Sequence, residues 1–177
     1  MFEHLAEYKK ILVTGPHRSG TTIAAAMIAQ DTKHLLVLEE LSWRPSQNLD
    51  MLEFWLRECK WPVVCQAPYA ADACHHWPEV FVVFMVRDVN KIAASKARAK
   101  LSDGTPVNFQ RMQTIECNKY SVDGNFYGSA PDAELKYSMW EEQKARIKNY
   151  LELPYEELSK HPLWLSDRTG FHVRQIA

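Results

Sequence analysis

Eight consecutive residues, Gly15-Pro16-His17-Arg18-Ser19-Gly20-Thr21-Thr22, combine glycine turns, a cation and hydroxyls in the way a bound phosphate requires. Glycines let backbone amides curl around an oxyanion, and a helix starting just after them adds its own N-terminal amides. The spacing meets the phosphate-loop pattern G-x-x-x-x-G-K-[ST] at every defined position but one, since Thr21 stands where the lysine belongs. That lysine ordinarily reaches the terminal phosphates of ATP. Thr21 can donate a hydrogen bond but carries no charge. Arg18 therefore supplies the cation, with a planar fork suited to a tetrahedral oxyanion. Group transfer from a nucleotide fits this loop better than ATP hydrolysis.

A second anion site is expected at Arg87, just past the apolar run Val80 to Val86, with Ser95 eight residues further on. Ligands of open α/β sheets bind at the carboxyl edge of the strands, where such an arginine falls. Arg87 and Ser95 so placed could clamp a second phosphate. Cys74-His75-His76 lacks the spacing of a zinc site, and no metal is expected. Trp43, Trp55, Trp77, Trp140 and Trp164 read as core residues more than as a stacking surface, and Lys91, Lys96, Arg98 and Lys100 as a solvated helix face.

The elements that must hold these residues alternate between strand and helix. Apolar runs predict strands at Ile11 to Val13, Leu35 to Leu38, Pro62 to Cys65, Val80 to Val86 and Leu151 to Pro154. Val80 to Val86 is apolar on both faces, as in a central parallel strand. Helices are expected over the alanine-rich stretch after Gly20, Asn48 to Cys59, the residues after Arg87, Ala133 to Tyr150, and a short Tyr155 to His161. Leu101 to Pro131 is polar, contains Gly104, Gly124 and Gly128, and lacks periodicity, which suggests a lid, a binding loop or local disorder. Alternation of this kind predicts an α/β fold with a central, mostly parallel sheet flanked by helices. The chain is expected to form a single domain over 1–177, with 101–131 as lid or acceptor-binding segment.

Composition narrows the function classes. A formal charge of -1 gives no broad basic field for nucleic acid, so any anion site must be local. The 46% apolar and 24% charged content is that of an ordinary globular protein. Neither a signal peptide nor a membrane span is expected. Cys59, Cys65, Cys74 and Cys117 form no CxxC pair, which fits reduced thiols in a cytoplasm better than a disulfide framework.

Taken together, the segments resemble the sulfotransferase family that uses 3′-phosphoadenosine 5′-phosphosulfate. Arg18-Ser19-Gly20-Thr21-Thr22 is similar to the family's 5′-phosphosulfate loop, and Arg87, Asp88 and Ser95 are similar in type and spacing to its 3′-phosphate segment. Tyr155-Glu156-Glu157-Leu158 is similar to a third family segment, and the stretch leading to the Arg87 strand also resembles its counterpart. The chain departs from the family pattern at Val89 (proline), Lys91 (aspartate), Gln66 (lysine) and Ile23 (an adenine-stacking aromatic). The catalytic histidine of the cytosolic branch is replaced by Ala67 or Pro68.

The resemblance implies a three-layer P-loop fold and sulfuryl transfer to a hydroxyl or amine acceptor, without metal, leaving adenosine 3′,5′-bisphosphate. It implies cofactor contacts at Gly15, His17, Arg18, Ser19, Gly20, Thr21, Thr22, Arg87, Ser95 and Tyr155. Arg18 would neutralise charge on the leaving 5′-phosphate. Glu39 or Glu40 is the expected base, by similarity to the tyrosylprotein branch, and is preferred over His17, His75 or His76. A solvated strand end explains the Glu39-Glu40 pair equally well. Two alternatives stand beside this expectation: a P-loop nucleotide or small-molecule kinase, and a catalytically silent nucleotide-binding module. The acceptor and the oligomeric state are not legible.

Overall fold

The structure is a computed structural model that describes residues 1–38, 48–99, 104–106 and 133–165. Five strands, β1 Lys10–Thr14, β2 Leu35–Val37, β3 Val63–Gln66, β4 Phe81–Val86 and β5 Tyr150–Pro154, form one sheet in the order β2-β3-β1-β4-β5. Every pairing is parallel, with Val13 opposite Gln66 and Val83. The expected α/β architecture is therefore present. β4 is interior, between β1 and β5, while β1 takes the middle position.

Alternation along the strands divides the core between the two faces of the sheet. Leu12, Val63, Cys65, Val82 and Phe84 pack with Leu52, Leu56, Trp77 and Trp140 on one face. Ile11, Val13, Val64, Phe81, Val83 and Met85 pack with Leu5, Ala24, Ala25, Met27 and Ile28 on the other.

Helix α1, Thr21–Thr32, lies on this second face. Its Ala24, Ala25, Ala26 and Ala29 are all buried, and short side chains let it approach the sheet closely. Helix α2, Asn48–Glu53, runs on as a π-helical turn over Phe54–Glu58. Helix α3, Val89–Ala97, is capped by Asp88, whose Oδ1 accepts from the Lys91 amide at 2.9 Å. Helix α4, Ala133–Lys144, stacks Trp140 on Phe84 with centroids 4.4 Å apart and planes at 8°.

The local structure differs from expectation in several places. The helix expected to continue to Tyr150 stops at Lys144, and Tyr150 instead opens β5 opposite Val82. Glu141 to Lys148 are good helix formers, so the sequence carries no local stop signal, and pairing with the β4 edge ends the helix. Tyr155–Lys160 is a 3-10 turn followed by α5, Pro162–Leu165. Glu3–Glu7 forms a 3-10 turn that packs Leu5 into the core. Most of Leu101 to Pro131, read as a lid or acceptor segment, lies outside the described residues, as do Trp43, Cys117 and Lys100. Among the described residues no helix is long and apolar enough to cross a membrane.

Candidate functional site

Parallel strands bring the loops after β1, β3, β4 and β5 to one edge of the sheet. From β1 the chain runs towards β2 on one flank, and from β4 towards β5 on the other. The crevice between β1 and β4 is thus where connections diverge, the usual ligand position in an open parallel sheet.

The loop after β1 is shaped by positive φ angles at Gly15 (133°), Arg18 (71°) and Gly20 (99°). A Cβ on Gly15 would come within 2.9 Å of the Met85 carbonyl oxygen, so glycine permits the loop to leave β1 against β4. The Ser19 amide donates to the Pro16 carbonyl at 3.0 Å, closing a turn, and α1 begins at Thr21 with Gly20 at its N-cap. His17, Ser19 and Thr21 are buried, whereas Arg18 and Thr22 are exposed.

The segments expected to form two anion sites meet. Arg18 Nε donates to Ser95 Oγ on α3 at 3.2 Å. Arg87 Nη1 donates to the Arg18 carbonyl oxygen at 2.7 Å, and Arg87 Cζ lies 3.8 Å from the centroid of the Tyr155 ring. The same ring packs on the loop, since a Cβ at Gly20 would fall 2.6 Å from Tyr155 Cδ2. Arg18, Gly20, Arg87, Ser95 and Tyr155, drawn from three segments of the chain, share one surface. Lys91 Nζ pairs with Glu156 Oε1 at 2.8 Å, tying α3 to the turn that carries Tyr155.

Two contacts were not visible in the sequence. Gln66, at the end of β3, donates from Nε2 to Thr21 Oγ1 at 3.1 Å, and both residues are buried. Tyr137 of α4 brackets the Arg87 backbone: its hydroxyl accepts from the Arg87 amide at 2.8 Å and donates to the Arg87 carbonyl at 2.7 Å. Burial raises the Tyr137 phenol above the ordinary tyrosine value, which keeps it protonated for that donation. The only sequence signal for Tyr137 is its i+3 spacing to Trp140 on the face of α4 that meets β4.

Among the described residues, Ser19 Oγ and Arg87 Nε are buried atoms with no hydrogen-bond partner. Buried polar groups are usually paired. A donor of Arg87 and a hydroxyl of the loop thus both retain capacity for an oxyanion. No cluster of three or more histidine, cysteine or acidic side chains suited to a metal occurs among the described residues. Glu39 and Glu40, the expected base candidates, lie outside the described residues, although β2 ends at the same sheet edge.

The site defines a class: a parallel α/β protein with a glycine-arginine loop and an arginine at adjacent strand ends. No family model, curated protein or solved structure compared with the chain matches it.

Proposed function

We propose that this chain binds a nucleotide carrying phosphate at both its 5′ and 3′ positions and acts as a sulfotransferase on a three-layer P-loop fold. One observation carries the proposal: Arg18 of the glycine loop and the Arg87/Ser95 pair converge at the β1–β4 crevice. The unpaired Ser19 Oγ and Arg87 Nε, both buried, fit an anionic ligand.

The 5′-phosphosulfate would be held by the amides after Gly15, by Arg18, and by Thr21 and Thr22. The 3′-phosphate would be held by Arg87 and Ser95, with Tyr155 beneath the guanidinium. When bound, 3′-phosphoadenosine 5′-phosphosulfate supplies the sulfuryl group, which an acceptor oxygen or nitrogen attacks as the sulfur–oxygen bond to the 5′-phosphate breaks. Arg18 and the α1 N-terminus offset the charge that accumulates on the departing phosphate. The acceptor's proton passes to a base, for which Glu39 and Glu40, next in sequence after β2, are the candidates. The protein's contribution is positioning and charge stabilisation.

A second reading, a binding module without transfer, draws support from Gln66. Its neutral amide is committed to Thr21, so the loop holds one cation fewer than the family pattern. The two readings share the ligand and differ in turnover.

A thermal-shift panel of adenosine nucleotides tests the shared part. Adenosine 3′,5′-bisphosphate at a hundred times its dissociation constant should stabilise the fold by about 2.7 kcal/mol, and AMP at the same concentration far less. Equal shifts for the two would remove the 3′-phosphate from the proposal. Magnesium-dependent ATP turnover would point to a kinase instead. Radiolabelled sulfate transfer across an acceptor panel separates enzyme from silent module.

A further inference from the structure

Arg87 sits at the residue where β4 has ended and α3 has not begun. β4 closes at Val86, and α3 starts at Val89 behind the Asp88 cap. Arg87 thus lies outside both elements, and its side chain reaches the Arg18 carbonyl and the Tyr155 ring. Something must hold its Cα in place.

That role falls to Tyr137. Its hydroxyl engages both the amide and the carbonyl of the same residue, at 2.8 and 2.7 Å, across 50 positions of sequence. The ring is itself fixed, meeting Phe84 edge to face at 5.9 Å, while Trp140 one turn on stacks flat on the same Phe84. The phenol is thereby anchored to β4, the strand that delivers Arg87. A hydroxyl that both donates to and accepts from one backbone unit fixes its rotation about the strand axis, and with it the direction in which the guanidinium leaves. A group held only by water at this point would be free to turn.

We infer that Tyr137 is a positioning residue for the Arg87 anion site, setting the preference for a ligand with a second phosphate. This rests on the nucleotide reading proposed above. The Tyr137 hydroxyl engages the backbone of Arg87, so its loss would act through Arg87. The affinity for a 5′-monophosphate, which engages the glycine loop, depends on it less, because Arg87 reaches that loop only through the Arg18 carbonyl.

Calorimetry on the intact chain, wild type and Tyr137→Phe, with adenosine 3′,5′-bisphosphate and with AMP, tests this. The substitution keeps the ring on Phe84 and removes only the hydroxyl. Binding of the bisphosphate should weaken about tenfold in Tyr137→Phe, with AMP changed by less than about twofold. A purely structural role would lower the melting temperature and weaken both ligands alike. Unchanged bisphosphate affinity, or equal losses for the two nucleotides, overturns the inference while leaving the nucleotide reading intact. A wild-type chain that binds bisphosphate and AMP equally overturns the reading itself, and this inference with it.

Discussion

Arg18 and Ser95, 77 positions apart, are joined by a 3.2 Å hydrogen bond from Nε to Oγ. The bond links the loop after β1 to α3, so two segments that bear separate expectations act on one surface. Because Arg18 and Ser95 are partners, their contributions to the proposed nucleotide binding should be coupled. Affinity for adenosine 3′,5′-bisphosphate should fall about a hundredfold in Arg18→Ala and about tenfold in Ser95→Ala. In the double variant the loss should be smaller than the product of the two. Calorimetry on the four proteins checks this, and strictly multiplicative losses would show that the pair does not act together.

Gly20 is constrained twice, by a φ of 99° and by the Tyr155 ring that a Cβ would strike at 2.6 Å. Gly20→Ala should therefore destabilise the fold by about 1–3 kcal/mol, measured by urea denaturation. Tyr155→Ala removes the steric part but not the backbone strain. The alanine at position 20 should cost less in the Tyr155→Ala background than in wild type. An equal cost in both would mean that the ring yields freely and that the loop is not packed against it.

What could be read from the sequence, and what could not, follows the range of the interactions. β1 and β4 are continuous apolar runs because both faces are buried, and the Gly15–Thr22 loop is legible because its constraint is local φ and spacing. α4 ends at Lys144, six residues before the Tyr150 to which its helix-forming residues run, because the signal that stops it is the pairing of Tyr150 with Val82. Gln66 on Thr21 and Tyr137 on Arg87 join residues 45 and 50 positions apart. Neither pairing leaves a periodic trace in the chain.

Far from this site, Asp31 near the end of α1 gathers the Phe2 amide at 2.8 Å, the N-terminal ammonium at 2.9 Å and His161 Nε2 at 3.1 Å. Burial alone would raise its pKa, but these donors outweigh it and bring the carboxyl down to about 2. A depressed carboxylate stabilises the fold above its unfolded value, here 3.8, and that contribution fades as pH falls towards 2. Asp31→Asn should cost about 1–3 kcal/mol near neutral pH and progressively less below pH 3.8. Urea midpoints across pH 2 to 7 measure the difference, and a cost that is flat with pH would show that charge at Asp31 is not what the donors bind.

Arg87 is used in three ways at once: Nη1 holds the Arg18 carbonyl, the plane lies on Tyr155, and Nε is left without a partner. Only a guanidinium can do all three, because lysine has neither the flat face nor the fork. Arg87→Lys therefore keeps the charge while discarding the geometry, and it separates the two effects. If charge alone draws the second phosphate, Arg87→Lys should bind adenosine 3′,5′-bisphosphate nearly as well as wild type. If the fork matters, as its contacts indicate, Arg87→Lys should lose about tenfold and Arg87→Ala about a hundredfold, with a smaller loss for AMP, whose loop Arg87 reaches only through the Arg18 carbonyl. Calorimetry on the two variants, read as the ratio of bisphosphate to AMP affinity, decides between charge and geometry at this position.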